Sequence, residues 1–278
     1  MSSISADQEQ RDLTRKQRRE RARAQRRASE QAALASAAKR TRFTQLAIVM
    51  VVIVIGIIGV LISSGASPGN HAVASGGAAA RKLDGEITKL LAGIPQDGNV
   101  LGQSGAPVTL QYFGDLECPV CRAFTVSALP SIITKQVRSG KLRIEYHSLE
   151  TATREAEVFK AQQTAALAAG RQGKLWNYIE TFYHEQGEED SGYVTEQFIH
   201  GIATQIPGLK LSSWSHDRGE SALSKQVEED AQTANQQSLE GTPAFLLGRS
   251  GGAMKKFEPS SYTEPGTFET AIETLAKS

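Results

Sequence analysis

The sequence predicts an α/β domain tethered to a membrane by a single apolar helix, on three observations. Strand-like and helix-like segments follow the order β-α-β, a long helical block, then β-β-α. Both cysteines of the chain fall in one run, Cys118-Pro119-Val120-Cys121, at the first strand-to-helix junction. Upstream, Leu46 to Ile62 is 17 consecutive residues without a polar side chain.

The N-terminal tail, residues 1–42, carries 12 Lys/Arg against 5 Asp/Glu, which leaves 19 basic and 25 acidic residues for the rest of the chain. The formal net charge of +1 therefore hides two regions of opposite sign. Residues 29–40 favour helix but have almost no apolar face, so the tail is expected to lie in solvent or on the membrane. Arg15 to Arg27 could be read as a nucleic-acid patch. A juxtamembrane basic tail explains the same charges through topology and attraction to anionic lipid, so lipid is the expected partner and nucleic acid is not.

With Phe43–Gln45 and Ser63–Ser64 the apolar run extends to a transmembrane helix over 43–64, or 22 residues. That length spans a hydrocarbon core of roughly 30 Å at about 1.5 Å per residue. A buried helix of a soluble domain would show a polar stripe, and this one shows none. A cleavable signal peptide would need a 42-residue n-region, and Ala72-Val73-Ala74 begins ten residues past Ile62. No cysteine follows the run in the position that lipoprotein processing needs. An uncleaved anchor is the expectation, with the basic tail cytoplasmic and the remainder outside. Disulfides persist in that outer compartment.

Residues 65–82, rich in Gly, Ser and Ala, read as a flexible tether. The domain is expected over 83–278, opening with a short amphipathic helix from Leu83 to Ile94. Val108 to Phe113 reads as a buried strand, and Pro119 to about Gly140 as a helix interrupted at Pro130. Leu142 to His147 alternates as a second strand. Residues 151–240 follow a helical pattern broken near Gly170–Gly173, Gly187–Gly192, Pro207-Gly208 and Gly219. Ala244–Gly248 and Met254–Phe257 read as a strand pair across Gly251-Gly252, and Thr267 to Ala276 as a closing helix. This order is the thioredoxin arrangement with a helical subdomain inserted between its halves. A parallel crossover needs only a dozen or more residues, so the block must add a layer.

Cysteines three apart on a first helical turn share a face, with Cβ atoms about 5–6 Å apart. A relaxed disulfide wants about 3.5–4.5 Å, so a bridge here forms only with adjustment and is easily reduced. Pro119 suits a first helical position. Cys118 would face the free N–H groups of the helix start, which favour thiolate and make it the better leaving group. Cys121, one turn in, would be the more shielded residue that resolves. Asp115 and Glu117 oppose the thiolate by charge, or Asp115 could sit below the pair as a proton acceptor. A zinc site needs about four ligands, and neither a second cysteine pair nor a His-x3–5-His spacing exists. A two-residue loop also makes a poor structural staple. No metal or organic cofactor is expected. Gly241-Thr242-Pro243-Ala244-Phe245, just before a strand, is the second element that this chemistry calls on.

Three stretches together resemble the DsbA-like thiol:disulfide oxidoreductases of the thioredoxin superfamily, above all their membrane-tethered bacterial members. They are Leu101 to Thr109, Phe113-Gly114-Asp115-Leu116-Glu117-Cys118-Pro119-Val120-Cys121, and Gly241 to Phe245. The resemblance covers about residues 85–278. It implies that Cys118 is the attacking and leaving thiol, that Cys121 resolves the mixed disulfide, and that Pro243 is a cis-proline. It also implies that the Thr242 backbone pairs with substrate peptide, and that the helical block offers a groove for unfolded chains. The chain departs from the best-known member at Val120, where that protein has a histidine that helps to hold the thiolate. The resemblance implies a dithiol oxidase acting on cysteine-containing secreted proteins, re-oxidised by a quinone-linked membrane partner. A reductase or isomerase using the same pair is the alternative, and a non-enzymatic peptide-binding module is another.

Overall fold

The structure, a computed structural model, describes Val73 and residues 77–277. The basic tail at 1–42, the span at 43–64 and nearly all of the tether before residue 77 lie outside the described residues. Among those described, no helix is long and apolar enough to cross a membrane.

The first helix, α1 (Ala78–Leu91), starts five residues before the expected Leu83, so residues 78–82, expected in the tether, are helical. Ala80, Ile87 and Leu91 point into the core, and this burial extends the helix back through the Ala run. Two short strands follow, β1 (Gln96–Asp97) and β2 (Val100–Leu101), paired as a hairpin. Then come β3 (Val108–Gly114), α2 (Pro119–Ser127), α3 (Leu129–Ile132) and a π-helical turn (Ile133–Val137). The expected break at Pro130 falls just after Ala128, with the proline in the first turn of α3, where its missing N–H costs nothing. β4 (Leu142–Ser148) completes the first half.

The block expected over 151–240 consists of α4 (Ala156–Gly170), α5 (Leu175–His184), α6 (Glu196–Gln205), α7 (Leu211–Asp217) and α8 (Ser221–Gln236). β5 (Ala244–Arg249), β6 (Lys255–Phe257) and α9 (Gly266–Lys277) end the domain. The sheet runs β1-β2-β4-β3-β5-β6, with β3 and β4 parallel and the other pairs antiparallel. The fold is therefore the expected α/β arrangement with its helical insertion.

Period-2 alternation sorts the strands between two faces. Val108, Leu110 and Tyr112 of β3 join Ile144, Tyr146, Phe245 and Leu247 in the main core, which continues into the inserted helices through Trp176, Tyr178 and Phe182. Phe113 and Leu246 turn to the other face, under Ala234 of α8 and Leu239. Gly114 closes β3 where a Cβ would lie 2.9 Å from the Tyr146 ring, so only glycine lets the strand end against that tyrosine.

Candidate active site

β3 ends in Gly114, and the next four residues turn the chain into α2. Asp115 sets that turn. Its carbonyl accepts from the Cys118 N–H at 3.0 Å and from the Tyr183 hydroxyl at 3.0 Å. Its carboxylate is fully buried and gathers the loop after β4, accepting from the N–H groups of Thr151, Ala152 and Thr153 at 2.8–2.9 Å. The Thr153 hydroxyl donates to the same carboxylate at 2.6 Å. Of the two roles open to Asp115 in the sequence, this geometry does not describe the free proton acceptor below the pair. The carboxylate is saturated by loop donors and acts as the pin between the two crossover loops.

Cys118 is the N-cap of α2, with extended backbone and Pro119 in the first turn behind it. Its sulfur accepts from the Cys121 N–H at 3.4 Å and contacts the Thr242 carbonyl at 3.3 Å. Both cysteines are reduced here, Cys118 nearly buried and Cys121 completely so. The contact with the Cys121 thiol, then Thr242 and the Val120 and Cys121 amides, outweigh burial and bring the Cys118 thiol down to about 6. Burial first, and then the neighbouring Cys118, push Cys121 well above the ordinary thiol range. One thiol is thus ionised at neutral pH and its partner is held protonated. Val120 stands between them, 41% exposed, one of two large apolar side chains on the described surface that are open to solvent.

Thr242-Pro243 is a cis peptide, as the resemblance implied. The register of β5 on β3 places Ala244 opposite Phe113, so Thr242 and Pro243 run past the strand end beside the thiol. The Thr242 hydroxyl is also bonded to that of Thr151, which joins the cis-proline loop to the loop pinned by Asp115. The four residues singled out in the sequence, Cys118, Cys121, Thr242 and Pro243, therefore converge.

Several residues that sequence reasoning missed support them. Gln186, in the loop between α5 and α6, donates to the Leu116 carbonyl at 2.7 Å and to the Cys118 carbonyl at 3.2 Å. Beneath the pair, the Tyr112 hydroxyl donates to Tyr183 at 3.1 Å, and Tyr146 lies within 3.1–3.2 Å of Gln163 Oε1 and the Gly114 carbonyl. Such partners lie tens of residues away in the chain and carry no local signal. Among the described residues one trio offers ligands to a cation, His216, Asp217 and Glu220. Arg171 already bridges its two carboxylates, and no cysteine takes part.

The family model described as thioredoxin matches residues 96–261. Disulfide bond formation protein D of Bacillus subtilis is 24% identical over 153 residues, which make up 53% of this chain and 66% of that protein. The oxidised crystal structure of BdbD from Bacillus subtilis aligns with a TM-score of 0.56 at 19% identity, over 66% of this chain and 98% of that one. That of α-DsbA1 from Wolbachia pipientis aligns with a TM-score of 0.55 at 18% identity, over 69% of this chain and 96% of the other. The matched segment contains every site residue described above. The chain belongs to the thioredoxin family, as a DsbA-like thiol–disulfide oxidoreductase.

Proposed function

We propose that the protein is a disulfide donor for cysteine-containing proteins outside the cell membrane, with Cys118 as its exchanging thiol and Cys121 as the partner that closes its disulfide and would resolve the mixed disulfide only in the reverse direction. The observation that carries this reading is the unequal pair: a Cys118 thiol lowered to about 6 beside a buried, protonated Cys121. In the oxidised protein a substrate thiolate attacks Cys118 Sγ. The Cys118–Cys121 bond breaks as the mixed disulfide forms, and Cys121 leaves and takes up a proton. A second substrate thiolate then attacks the substrate sulfur of the mixed disulfide. The substrate disulfide forms and Cys118 departs as a thiolate.

Stabilisation of that departing thiolate by the start of α2 favours the reduced protein and hence donation. The Thr242 carbonyl beside the sulfur supports a role for this backbone in holding substrate peptide. The name of the Bacillus subtilis relative supports the same direction. The apolar run at 43–64 and the basic tail before it support an anchored protein with its domain outside the cytoplasm, in contact with lipid. Two electrons arrive with each turnover, so a membrane partner of the quinone-linked kind is proposed to take them. No organic cofactor enters this scheme.

Equilibration of the pair in glutathione buffers tests the direction. A potential near about −120 mV is expected for a donor, and one near about −270 mV would assign the pair to a reductase. An isomerase would fall between, near about −180 mV.

A further inference from the structure

Two cavities adjoin the loops that flank Cys118, with no lining residue in common. One, of about 370 Å³, is bounded by the cis-proline loop, Phe257 and Tyr262. The other, of about 260 Å³, is bounded by Glu117, Glu155, Asp190, Arg154, Val158 and Val194 together with small residues of the same loops. The residue next to the thiol in the chain lines the second cavity, whereas the residue that touches the sulfur lines the first.

From this second cavity we infer a cation-accepting substrate subsite: it receives a lysine or arginine side chain of the substrate protein, close to the cysteine that exchanges with Cys118. The inference rests on the reading of Cys118 as the exchanging thiol. Three carboxylates face the cavity against one guanidinium. Arg154 pairs with Asp190 at 2.6 Å, but its side chain is 78% exposed and Glu155 is exposed too, so these groups ring the mouth and Glu117 is the acid of the interior.

Glu117 is the distinctive group. It is 6% exposed, and among the described residues the donor within reach of its carboxyl is the Thr153 hydroxyl, which Asp115 shares. The Thr153 hydroxyl lies within reach, but it has one hydrogen and gives it to Asp115 at 2.6 Å. Gln162 in turn donates to the Thr153 oxygen at 2.6 Å. Burial first, and then the charges of Asp115, Asp190 and Glu189, push Glu117 up to about 7 despite Thr153. A buried carboxyl held in a negative field is relieved by an incoming cation.

The walls select which cation. Val158 and Val194 offer apolar surface for the methylene stem of Lys or Arg, whose charged head then reaches the acids. A bare metal ion would gain nothing from two valines, and the space exceeds the roughly 10–15 Å³ that a single water-sized occupant needs. Charge-assisted hydrogen bonds in such a site are the strong kind.

The test uses the full chain with Cys121→Ser and single-cysteine peptides carried as mixed disulfides with glutathione. The Cys118 thiolate attacks the peptide sulfur, a Cys118–peptide disulfide forms, and glutathione leaves as its thiolate. Each peptide carries arginine, or its neutral isostere citrulline, at one of the positions flanking the cysteine. At one position the arginine peptide should exchange about tenfold faster, the size expected for a charged hydrogen bond. Glu117→Gln and Glu155→Gln should each lower that ratio, and their combination should bring it close to one. Equal rates at every position, or a ratio untouched by both substitutions, would overturn the subsite. Exchange by Cys118 does not depend on the direction of net electron flow, so the glutathione equilibration above can fail while this ratio stands, and the reverse.

Discussion

At the residue scale the site is a division of labour between two sulfurs of the same chemistry. Cys118 lies at the start of α2, where amide N–H groups point at it, and Cys121 lies a turn inside, where burial outweighs the polar groups that reach it. Val120 is the point at which this pair can be tuned. It is exposed on the first turn, so a larger polar side chain would meet solvent rather than the core. Val120→His should place a donor beside the thiolate, lower the Cys118 thiol below its present value of about 6, and make the potential less negative. Each tenfold gain for the reduced form corresponds to roughly 30 mV. Thiolate absorbance against pH and glutathione equilibration measure the two changes, and a potential that stays put would show that Val120 does not set the poise. The cysteines and the Thr242-Pro243 step were legible because each is a local pattern of residue type and spacing. Gln186, Thr151 and the loop-binding role of Asp115 were not, since each is defined by a partner the fold brings from far along the chain.

At the scale of elements, the inserted helices are fastened to the sheet by charge as well as by packing. His147 at the end of β4 bonds Asp230 of α8 at 2.7 Å, and the second Asp230 oxygen accepts from the Ser148 N–H at 2.8 Å. Glu145, 3.8 Å away on the same strand, and Arg143 beside it complete the charges facing the imidazole. Burial opposes the imidazolium, but Asp230 and then Glu145 overcome it and raise His147 to about 9. The folded value lies above the unfolded one near 6.5, so the pair stabilises fully below about pH 6.5 and loses that contribution as pH rises through about 9. The shift corresponds to on the order of 3 kcal/mol. Urea unfolding at pH 6.5 and pH 10 should show that fall in the natural chain and a smaller one in His147→Gln. Equal falls would rule out this pair as the clamp. The ladder Arg143, Glu145, His147 was legible as a strand by alternation, yet its attachment to α8 was not. The β1–β2 hairpin escaped for another reason: strands of two residues are too short to display a period. The start of α1 escaped because an Ala-rich run reads equally as tether or as helix until its burial is known.

At the scale of the whole molecule, the catalytic domain and the apolar run make opposite demands on their surroundings. The disulfide that the proposed reaction starts from persists where the compartment is oxidising, and in the proposed topology the basic tail lies on the cytoplasmic side. The proposed single span at 43–64 would satisfy both, because it would put residues 1–42 and the domain on opposite faces. The chain has only two cysteines, both in the proposed active site, so topology can be read without engineering a reporter. Intact cells treated briefly with a reductant should expose Cys118 as a thiolate at neutral pH, given its value of about 6. A membrane-impermeant maleimide should then add mass to the protein before the cells are opened, and Cys118→Ser should abolish most of the label, since Cys121 is buried and protonated. Labelling that appears only after permeabilisation would place the domain inside, in a reducing compartment where this pair would work as a reductase. Labelling of intact cells without any reductant would mean that the pair rests in its reduced form, which would count against a donor kept charged by a membrane oxidant.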